Sequence, residues 1–320
     1  MEHRSWLKLH GVKMIRTLIL TPDGVGSTFL QRTLTAVYRL CNTPVKNIHE
    51  LQTDMQWYDT GGVKDELGQQ KLSKIQETLE KNTDHLIAVT ASRDNRLHPK
   101  KDQEIFSKFC NNYFTTKIAC FRKNVFEYAL SWSIRQQTGI TNAYSIEDKK
   151  KVQEPKQVDI NFFKTKCQHY IEYLFWLDEY YTDYKKVWYE DIIEDADAVL
   201  DSLTEHKGVF QKNFDITLND FIKYEYDILQ NYIDGNDIKK LASDEKFKKF
   251  VYVRRFFGEL EGAETLSRTL PIKNTSLQLK KNIVRNYDDC LSAYDEFIKK
   301  HNIIDGSLRD YDFWTGKVVQ

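Results

Sequence analysis

The stretch ILTPDGVGSTFLQRTL, residues 19–34, joins the pattern of a strand to that of a helix. A short apolar run leads to Pro22, and beyond the turn Phe29, Leu30 and Leu34 recur at the spacing of one helix face. Two glycines, a serine and a threonine lie in between. Such a turn points backbone N–H groups and the positive end of the helix dipole at one place, which suits a phosphate. The stretch therefore predicts an α/β fold with an anion site. The alternative is a turn whose glycines serve backbone geometry alone.

The alternation of strands and helices continues along the chain. Apolar runs predict strands at 14–21, 85–91 and 115–121, and a strand that leads into a helix at 184–192. A short extended piece lies at 43–51, and helical patterns lie between the strands. Short strands that alternate with helices indicate a parallel sheet covered on both faces. We therefore expect a three-layer α/β/α fold of the P-loop NTPase type, with about five parallel strands in its central sheet.

The chain is predicted to be a single domain, residues 1–320. We expect the α/β core at about 14–205 and a mostly helical C-terminal extension at about 206–320, because no linker rich in proline or glycine separates them. A polar stretch at 139–158 interrupts the alternation and predicts a mobile excursion or lid.

The composition argues against several classes of protein. The 320 residues include 47 basic and 47 acidic side chains, and this neutral balance disfavours a general binder of nucleic acid or membrane surfaces. No segment approaches the roughly 20 apolar residues of a membrane span, and the N-terminus lacks the apolar core of a signal peptide. Five scattered cysteines without a CxxC pair indicate reduced thiols. We expect a soluble cytoplasmic protein without a metal site.

The glycine-rich turn differs from the phosphate loop of ATP- and GTP-hydrolysing enzymes. That motif is GxxxxGK[ST], in which a lysine contacts the β- and γ-phosphates. Here Gly26 is followed directly by Ser27 and Thr28, and the turn contains no lysine. A nucleotide hydrolase is therefore disfavoured.

The turn resembles instead the first loop of the sulfotransferases that use 3′-phosphoadenosine-5′-phosphosulfate (PAPS). In that family the first strand leads into P-x-x-G-[ST]-T-[WFL]-L, which binds the 5′-phosphosulfate. This chain has TPDGVGSTFL at 21–30, with one extra residue between the proline and the matching glycine. The resemblance implies that the 5′ side of PAPS contacts Gly24, Val25, Gly26, Ser27, Thr28 and Phe29.

A later motif resembles the 3′-phosphate site of the same family, R-[DN]-P-x-x-x-x-x-S at a strand end. This chain has IACFRKNVFEYALSWSIR at 118–135, and aligning on Asn124 and Ser131 places Lys123 at the family's arginine. A fixed cation, a hydroxyl donor and a helix N-terminus within one turn suit a dianionic phosphate. The resemblance implies that Arg122, Lys123 and Ser131 hold the 3′-phosphate. Taken singly, each is also common as a charged strand end or a helix-surface serine.

Two weaker similarities lie further along the chain. The segment YEDI at 189–192 is similar to a YEDL that follows a late strand in many of these enzymes, and we interpret Tyr189, Glu190 and Asp191 as mainly structural. The segment at 272–289 is similar to C-terminal segments of bacterial members. The resemblance covers roughly residues 14–200 with gaps and indicates a divergent member of microbial or viral type.

The resemblance implies an enzyme that moves a sulfuryl group from PAPS, its co-substrate, to a hydroxyl of a carbohydrate or small molecule and releases PAP (3′,5′-diphosphoadenosine). The family takes its base from a histidine or glutamate after the second or third strand, which indicates His49, Glu50 or His98. For His49 the alternative is a partly buried core histidine, and for His98 an exposed loop residue.

The loop departs from the family at its cation. A lysine or arginine usually precedes the Gly-[ST]-T, whereas this chain has Asp23, Gly24 and Val25 there. By strand order, Arg93 and Arg96 are the nearest candidates to replace it. Two alternatives stay open: a catalytically degenerate relative that binds PAP or another nucleotide, and a nucleotide-dependent phosphotransferase.

Overall fold

The central element of the fold is a sheet of five parallel strands. The computed structural model of the chain describes residues 14–22, 24–48, 51, 77, 79, 85–92, 100–140, 151–233, 245–260, 277–301, 311–312 and 317–318. The strands are β1 (Arg16–Thr21), β2 (Val45–Ile48), β3 (His85–Ala91), β4 (Thr116–Phe121) and β5 (Tyr184–Trp188). Their order across the sheet is β2-β3-β1-β4-β5, and every pairing is parallel.

Helices cover the sheet and form the C-terminal part of the chain. The helices before β5 are α1 (Ser27–Leu40), α2 (Lys100–Tyr113), α3 (Val125–Thr138) and α4 (Ile160–Tyr180). Those after it are α5 (Tyr189–Glu194), α6 (Ala196–Leu203), α7 (Val209–Phe214), α8 (Leu218–Ile233), α9 (Glu245–Leu260), α10 (Leu277–Ile283) and α11 (Tyr287–His301), before a two-stranded pairing of β6 (Tyr311–Asp312) with β7 (Lys317–Val318). Within the described ranges, no helix has the length and apolar character needed to cross a membrane.

Both faces of the sheet are buried because its central strands are apolar at successive positions. Leu18 and Leu20 of β1 belong to one hydrophobic cluster, whereas Ile19 between them belongs to another. Ile19 lies opposite Val89 of β3 and Ile118 of β4. Since successive side chains of a strand point to opposite faces, these residues fill the two interfaces between the sheet and its helical layers. The predicted three-layer α/β/α fold with a parallel central sheet is confirmed.

The C-terminal helices pack onto the same hydrophobic cluster as Ile19. The ring of Phe221 in α8 lies 5.2 Å from that of Phe250 and 5.7 Å from that of Phe257, both in α9. Tyr294 of α11 meets Phe126 of α3 edge-on at 5.4 Å. The helical extension therefore continues the core that covers one face of the sheet.

One part of the expected excursion at 139–158 is paired with the C-terminal segment. The Lys156 backbone N–H donates to the carbonyl of Ile283 at 2.7 Å. The Lys156 carbonyl accepts from the backbone N–H of Arg285 at 2.8 Å. These two bonds form a parallel bridge between distant parts of the chain.

The side chain of Asn286 extends this bridge, because its amide group forms the same two kinds of hydrogen bond that a neighbouring strand would form. Its Oδ1 accepts from the Val158 N–H at 2.8 Å, and its Nδ2 donates to the Val158 carbonyl at 2.9 Å. Residues 156–158 are therefore part of the packed fold rather than of a mobile excursion, because their backbone groups are held by the C-terminal segment. Residues 141–150 of the expected lid lie outside the described residues.

The strand order places a topological switch point between β1 and β4. The chain leaves β1 for β2 on one side of the sheet and leaves β4 for β5 on the other. Open parallel sheets bind ligands at the carboxyl ends of their strands, in the crevice at such a point. The turn after β1 and the segment 122–124 after β4 border this crevice.

Candidate functional site

Two glycines of the β1–α1 turn adopt backbone conformations that other residues rarely take. Gly24 has a φ of 72° and Gly26 a φ of 81°. A Cβ at Gly24 would lie 2.9 Å from Nε1 of Trp132, and a Cβ at Gly26 would lie 2.8 Å from Cδ2 of Tyr189. Glycine is therefore required at both positions for two reasons. The backbone φ is positive, and the aromatic side chain that covers each residue leaves no room for a Cβ.

Helix α1 begins without a side-chain cap. Gly26 occupies the N-cap position, and no side-chain capping hydrogen bond is formed there. The left-handed glycine takes the N-cap position, and Ser27 is the first helical residue. The first N–H groups of a helix lack intrahelical acceptors, so this end of α1 offers donors to an anion.

The side chains of the turn divide between core and surface. Val25 and Phe29 are buried in the cluster that contains Ile19, so these two predicted ligand residues contribute packing through their side chains. Ser27 is also buried, whereas Thr28 is partly exposed. The backbone N–H groups and the Thr28 hydroxyl are therefore the groups of the turn best suited to contact a ligand.

Arg122 lies at the carboxyl end of β4 and is only 4% exposed. Its backbone N–H donates to the Tyr170 hydroxyl at 2.6 Å, and that hydroxyl donates to the Arg122 carbonyl at 3.0 Å. Burial raises the pKa of Tyr170 well above its ordinary value, so the hydroxyl keeps the proton that it donates. The Arg122 guanidinium lies 4.0 Å from the centre of the Tyr189 ring. Since Tyr189 also covers Gly26, one ring links the two predicted binding segments.

The charge of Arg122 is incompletely paired. Its Nη1 lies 3.9 Å from Oε1 of Glu190, which is too far for a hydrogen bond. These two atoms and Nε of Arg122 are buried without hydrogen-bond partners. Buried charged groups are normally both ion-paired and hydrogen-bonded. A guanidinium in this state is suited to bind an anionic group between its N–H donors.

Lys123 is paired more completely than Arg122. Its backbone N–H donates to Oε2 of Glu190 at 2.9 Å, and its ammonium forms an ion pair with Asp191. The two acids, interpreted from sequence as mainly structural, thus contact both predicted cations of the site. A phosphate would compete with Asp191 for Lys123, so Arg122 is the better candidate for an anion ligand.

Ser131 is held by a buried ion pair that sequence analysis did not single out. Its hydroxyl donates to the Glu127 carbonyl at 2.8 Å and accepts from the Lys280 ammonium at 2.7 Å. The ammonium also lies 3.0 Å from the Glu127 carboxylate, and both side chains are buried. Lys280 belongs to α10, within the segment 272–289 that is similar to family C-termini, and this similarity was the only sequence signal for it.

Two further cations lie at Trp132, the residue that covers Gly24. The guanidinium carbon of Arg135 lies 4.2 Å from the centre of a Trp132 ring, and the ammonium of Lys166 lies 4.1 Å from it. Arg135 is one turn further along α3, and Lys166 is a buried residue of α4. Sequence analysis did not identify either, because helix periodicity alone does not indicate which charged side chains contact Trp132.

The predicted base and the predicted replacement cations are not among the described residues. His49, Glu50 and His98 lie outside them, as do Arg93 and Arg96. In the part of the chain that the structure describes, no group of histidine, cysteine and acidic side chains is arranged to hold a metal ion. All five cysteines are free thiols.

Comparison with protein-family models and with curated proteins gives no match for this chain. The arrangement of the site therefore carries the functional argument.

Proposed function

We propose that the protein is a PAPS-dependent sulfotransferase that transfers a sulfuryl group to a hydroxyl of a carbohydrate or small molecule and releases PAP. One observation carries the proposal: two segments far apart in sequence meet at the switch point of the sheet, and the buried guanidinium of Arg122 lies there with unpaired N–H groups. PAPS has anionic groups at both ends of its ribose, so it requires two anion sites that share one crevice.

The two anion sites are assigned to the two segments. The 5′-phosphosulfate is proposed to lie over the β1–α1 turn, where Gly24 and Gly26 give the backbone its left-handed conformation before α1. The 3′-phosphate is proposed to lie near Arg122, with Lys123 and Ser131 beside it and the Lys280 ammonium bonded to Ser131. This arrangement provides a planar donor pair and a nearby ammonium for a dianion.

The proposed reaction forms one bond to sulfur and breaks one. The acceptor oxygen bonds to sulfur, the bond from sulfur to the bridging phosphate oxygen breaks, and the electron pair stays on the departing PAP. The acceptor proton passes to a base, for which His49, Glu50 and His98 are the proposed candidates. Donors at the turn stabilise the charge that develops on the leaving phosphate.

Ligand-induced thermal stabilisation tests the proposal. We expect PAP to stabilise the folded chain by about 2.7 kcal/mol at a hundredfold excess over its dissociation constant, and ATP to have a much smaller effect. Transfer of label from ³⁵S-PAPS to a mixture of carbohydrate and phenol acceptors then tests for activity. Preferential stabilisation by ATP would contradict the proposal and favour a phosphotransferase, whereas PAP binding without transfer would indicate the catalytically degenerate relative.

Substitution of Arg122 tests the assignment of the 3′ site. We expect Arg122→Gln to weaken PAP binding at least tenfold, because the paired donors and the charge are both lost, and Arg122→Lys to retain part of the affinity. Isothermal titration with PAP measures both. Arg39→Gln is the matched control, because Arg39 is exposed at the opposite end of α1. Equal affinity of Arg122→Gln and the control would show that the assignment is wrong.

We also infer that the enzyme works in a reducing compartment such as the cytoplasm. Its five cysteines form no disulfide, and four of them are buried. Burial raises the pKa of Cys120 to about 12, so this thiol is unreactive at neutral pH.

A further inference from the structure

The hydroxyl of Tyr170 holds the main chain of Arg122 through two hydrogen bonds. It accepts from the Arg122 N–H at 2.6 Å and donates to the Arg122 carbonyl at 3.0 Å. Arg122 lies one residue beyond the last sheet pair of β4, in which Phe121 is opposite Trp188 of β5. Buried backbone groups that leave a sheet require other partners. At Arg122 a single phenol provides a partner for both groups.

The Tyr170 ring is itself held in place by its neighbours. Tyr170 is fully buried, and it meets Tyr128 of α3 edge-on with ring centres 5.0 Å apart. On the same helix, Tyr173 lies 6.1 Å from it in a second edge-on contact. A ring packed between α3 and its own helix keeps its hydroxyl in one position. The main chain of Arg122, which is bonded to that hydroxyl, is therefore fixed as well.

The guanidinium at the other end of Arg122 is restrained less strictly. Its Nε and Nη1 are buried without hydrogen-bond partners, and its carbon lies 4.0 Å from the centre of the Tyr189 ring. A cation–π contact tolerates a range of positions over the ring, whereas a hydrogen bond restricts both distance and angle. The position of these donors therefore depends on where the main chain places the Arg122 side chain.

We propose that Tyr170 is a positioning residue for the 3′-phosphate site. By holding the Arg122 main chain, its hydroxyl places the unpaired guanidinium donors where the phosphate binds. This inference rests on the proposed function, which assigns the 3′-phosphate to Arg122. A binding group is most effective when surrounding contacts hold it in the productive position before the ligand arrives. Tyr170 contributes to affinity in this way without a contact to the ligand.

Two ligands that differ only in the 3′-phosphate test this role. Adenosine 5′-monophosphate (AMP) is PAP without that phosphate, so the ratio of the two dissociation constants isolates the 3′ site. Tyr170→Phe removes the hydroxyl and keeps the ring. We expect it to weaken PAP binding about tenfold and AMP binding less than about twofold, measured by isothermal titration of the full chain. A general disturbance of the fold would weaken both ligands alike.

Tyr173→Phe is the matched control. Tyr173 is as deeply buried as Tyr170, but its hydroxyl donates to the carbonyls of Leu20 and Cys120, which lie inside β1 and β4. We expect this variant to change the two dissociation constants by the same factor. In an Arg122→Gln background, Tyr170→Phe is expected to have no further effect on PAP binding, because a positioning residue acts through the group that it positions.

Amide hydrogen exchange in the unmodified chain tests the same coupling, and it decides the question if Tyr170→Phe does not fold. If the Tyr170 hydrogen bond strengthens PAP binding, bound PAP must strengthen that hydrogen bond by the same factor. With each ligand at the same multiple of its dissociation constant, we expect PAP to slow exchange of the Arg122 amide about tenfold more than AMP does. The Ile118 amide, in the middle of β4, is expected to respond equally to both ligands.

The outcomes separate this proposal from the proposed function. If the unmodified chain binds PAP no more tightly than AMP, the 3′ site and both proposals are overturned. If the chain prefers PAP, and Tyr170→Phe retains that preference as fully as Tyr173→Phe does, the positioning role alone is overturned. An Arg122 amide that responds equally to PAP and AMP, as Ile118 does, would overturn it in the same way.

Discussion

At the scale of single residues, Gly26 combines two constraints that can be separated by mutation. Its φ of 81° is unfavourable for any residue with a side chain, and a Cβ there would lie 2.8 Å from the Tyr189 ring. We expect Gly26→Ala to lower the free energy of unfolding by about 2–4 kcal/mol, from left-handed strain of about 1–2 kcal/mol and from displacement of the ring. Urea denaturation measures the loss.

Gly139 provides the matched control for this prediction. It has a comparable φ of 68°, but a Cβ there would meet no atom within 4 Å. Gly139→Ala should therefore show the backbone strain alone, and the difference between the two variants isolates the overlap with Tyr189. Equal losses in the two variants would show that Tyr189 moves aside without cost.

The local sequence pattern predicts the glycine-containing turn between strand and helix but not the aromatic residues that cover its glycines. A strand, a turn with two glycines and a helix are neighbours in the chain, so their local pattern indicates the backbone geometry. Trp132 and Lys280 reach the site through tertiary packing, and neither has a local pattern that distinguishes it from a core aromatic or a surface lysine. Contacts between distant residues are not encoded in periodicity.

At the scale of elements, the best predicted segments are those with strong local signals. The strand expected at 85–91 has the observed bounds. Helix α3 starts where Asn124 caps it, with Oδ1 accepting from the Glu127 N–H at 2.8 Å. The bridge between Lys156 and the segment before α11 was not predicted, because a polar stretch resembles a loop whether or not its backbone is paired.

Because Asn286 pairs with Val158, we expect this one side chain to hold the segment before α4 against the segment before α11. Asn286→Ala leaves the buried N–H and carbonyl of Val158 without their partners. We expect a loss of about 2–3 kcal/mol in the free energy of unfolding, measured by urea denaturation, because an unpaired buried polar group costs about 1–3 kcal/mol.

Asn213 is the control for this element-scale prediction. Its Nδ2 donates to the Val209 carbonyl within the same short helix, and the residue is exposed. Asn213→Ala is therefore expected to change the stability by less than about 0.5 kcal/mol. A similar loss in both asparagine variants would contradict the role of Asn286 as a link between segments.

At the scale of the whole molecule, the strand order positions the candidate site. It is also the feature that the sequence specifies least directly. Strand β1 pairs with β3 and β4 rather than with β2, its neighbour in the chain. Periodicity predicts that a parallel sheet exists, but it does not specify which strands lie side by side. The crevice between β1 and β4, and with it the meeting of the two proposed binding segments, follows only from the tertiary structure.

Because the fold buries thiols and phenols, we expect its free energy of unfolding to fall in alkaline solution. Burial raises the pKa of Cys120 from 9.0 to about 12, and it raises the pKa values of Tyr170 and Tyr173 well above 10.0. Above these ordinary values the unfolded chain releases protons that the folded chain retains. The stabilisation is therefore complete below about pH 9 and falls as the pH rises, by up to about 1.4 kcal/mol per pH unit for each such group.

Urea midpoints measured between about pH 8 and pH 11 test this prediction. The slope of stability against pH should be smaller in Cys120→Ala than in the unmodified chain, since one proton is removed from the difference between folded and unfolded states. Equal slopes in the two proteins, or a flat profile up to pH 11, would contradict the retention of these protons in the core.

Helix α4 has a consequence for how the molecule opens. Its first half contributes Phe163 and Cys167 to one hydrophobic cluster, and its second half contributes Trp176 and Leu177 to the other. Because α4 is one continuous helix packed into both clusters, it cannot detach from one cluster while it stays packed in the other. Amide hydrogens on the two sides of the sheet should therefore exchange with solvent in one cooperative event, with a common opening free energy, instead of layer by layer.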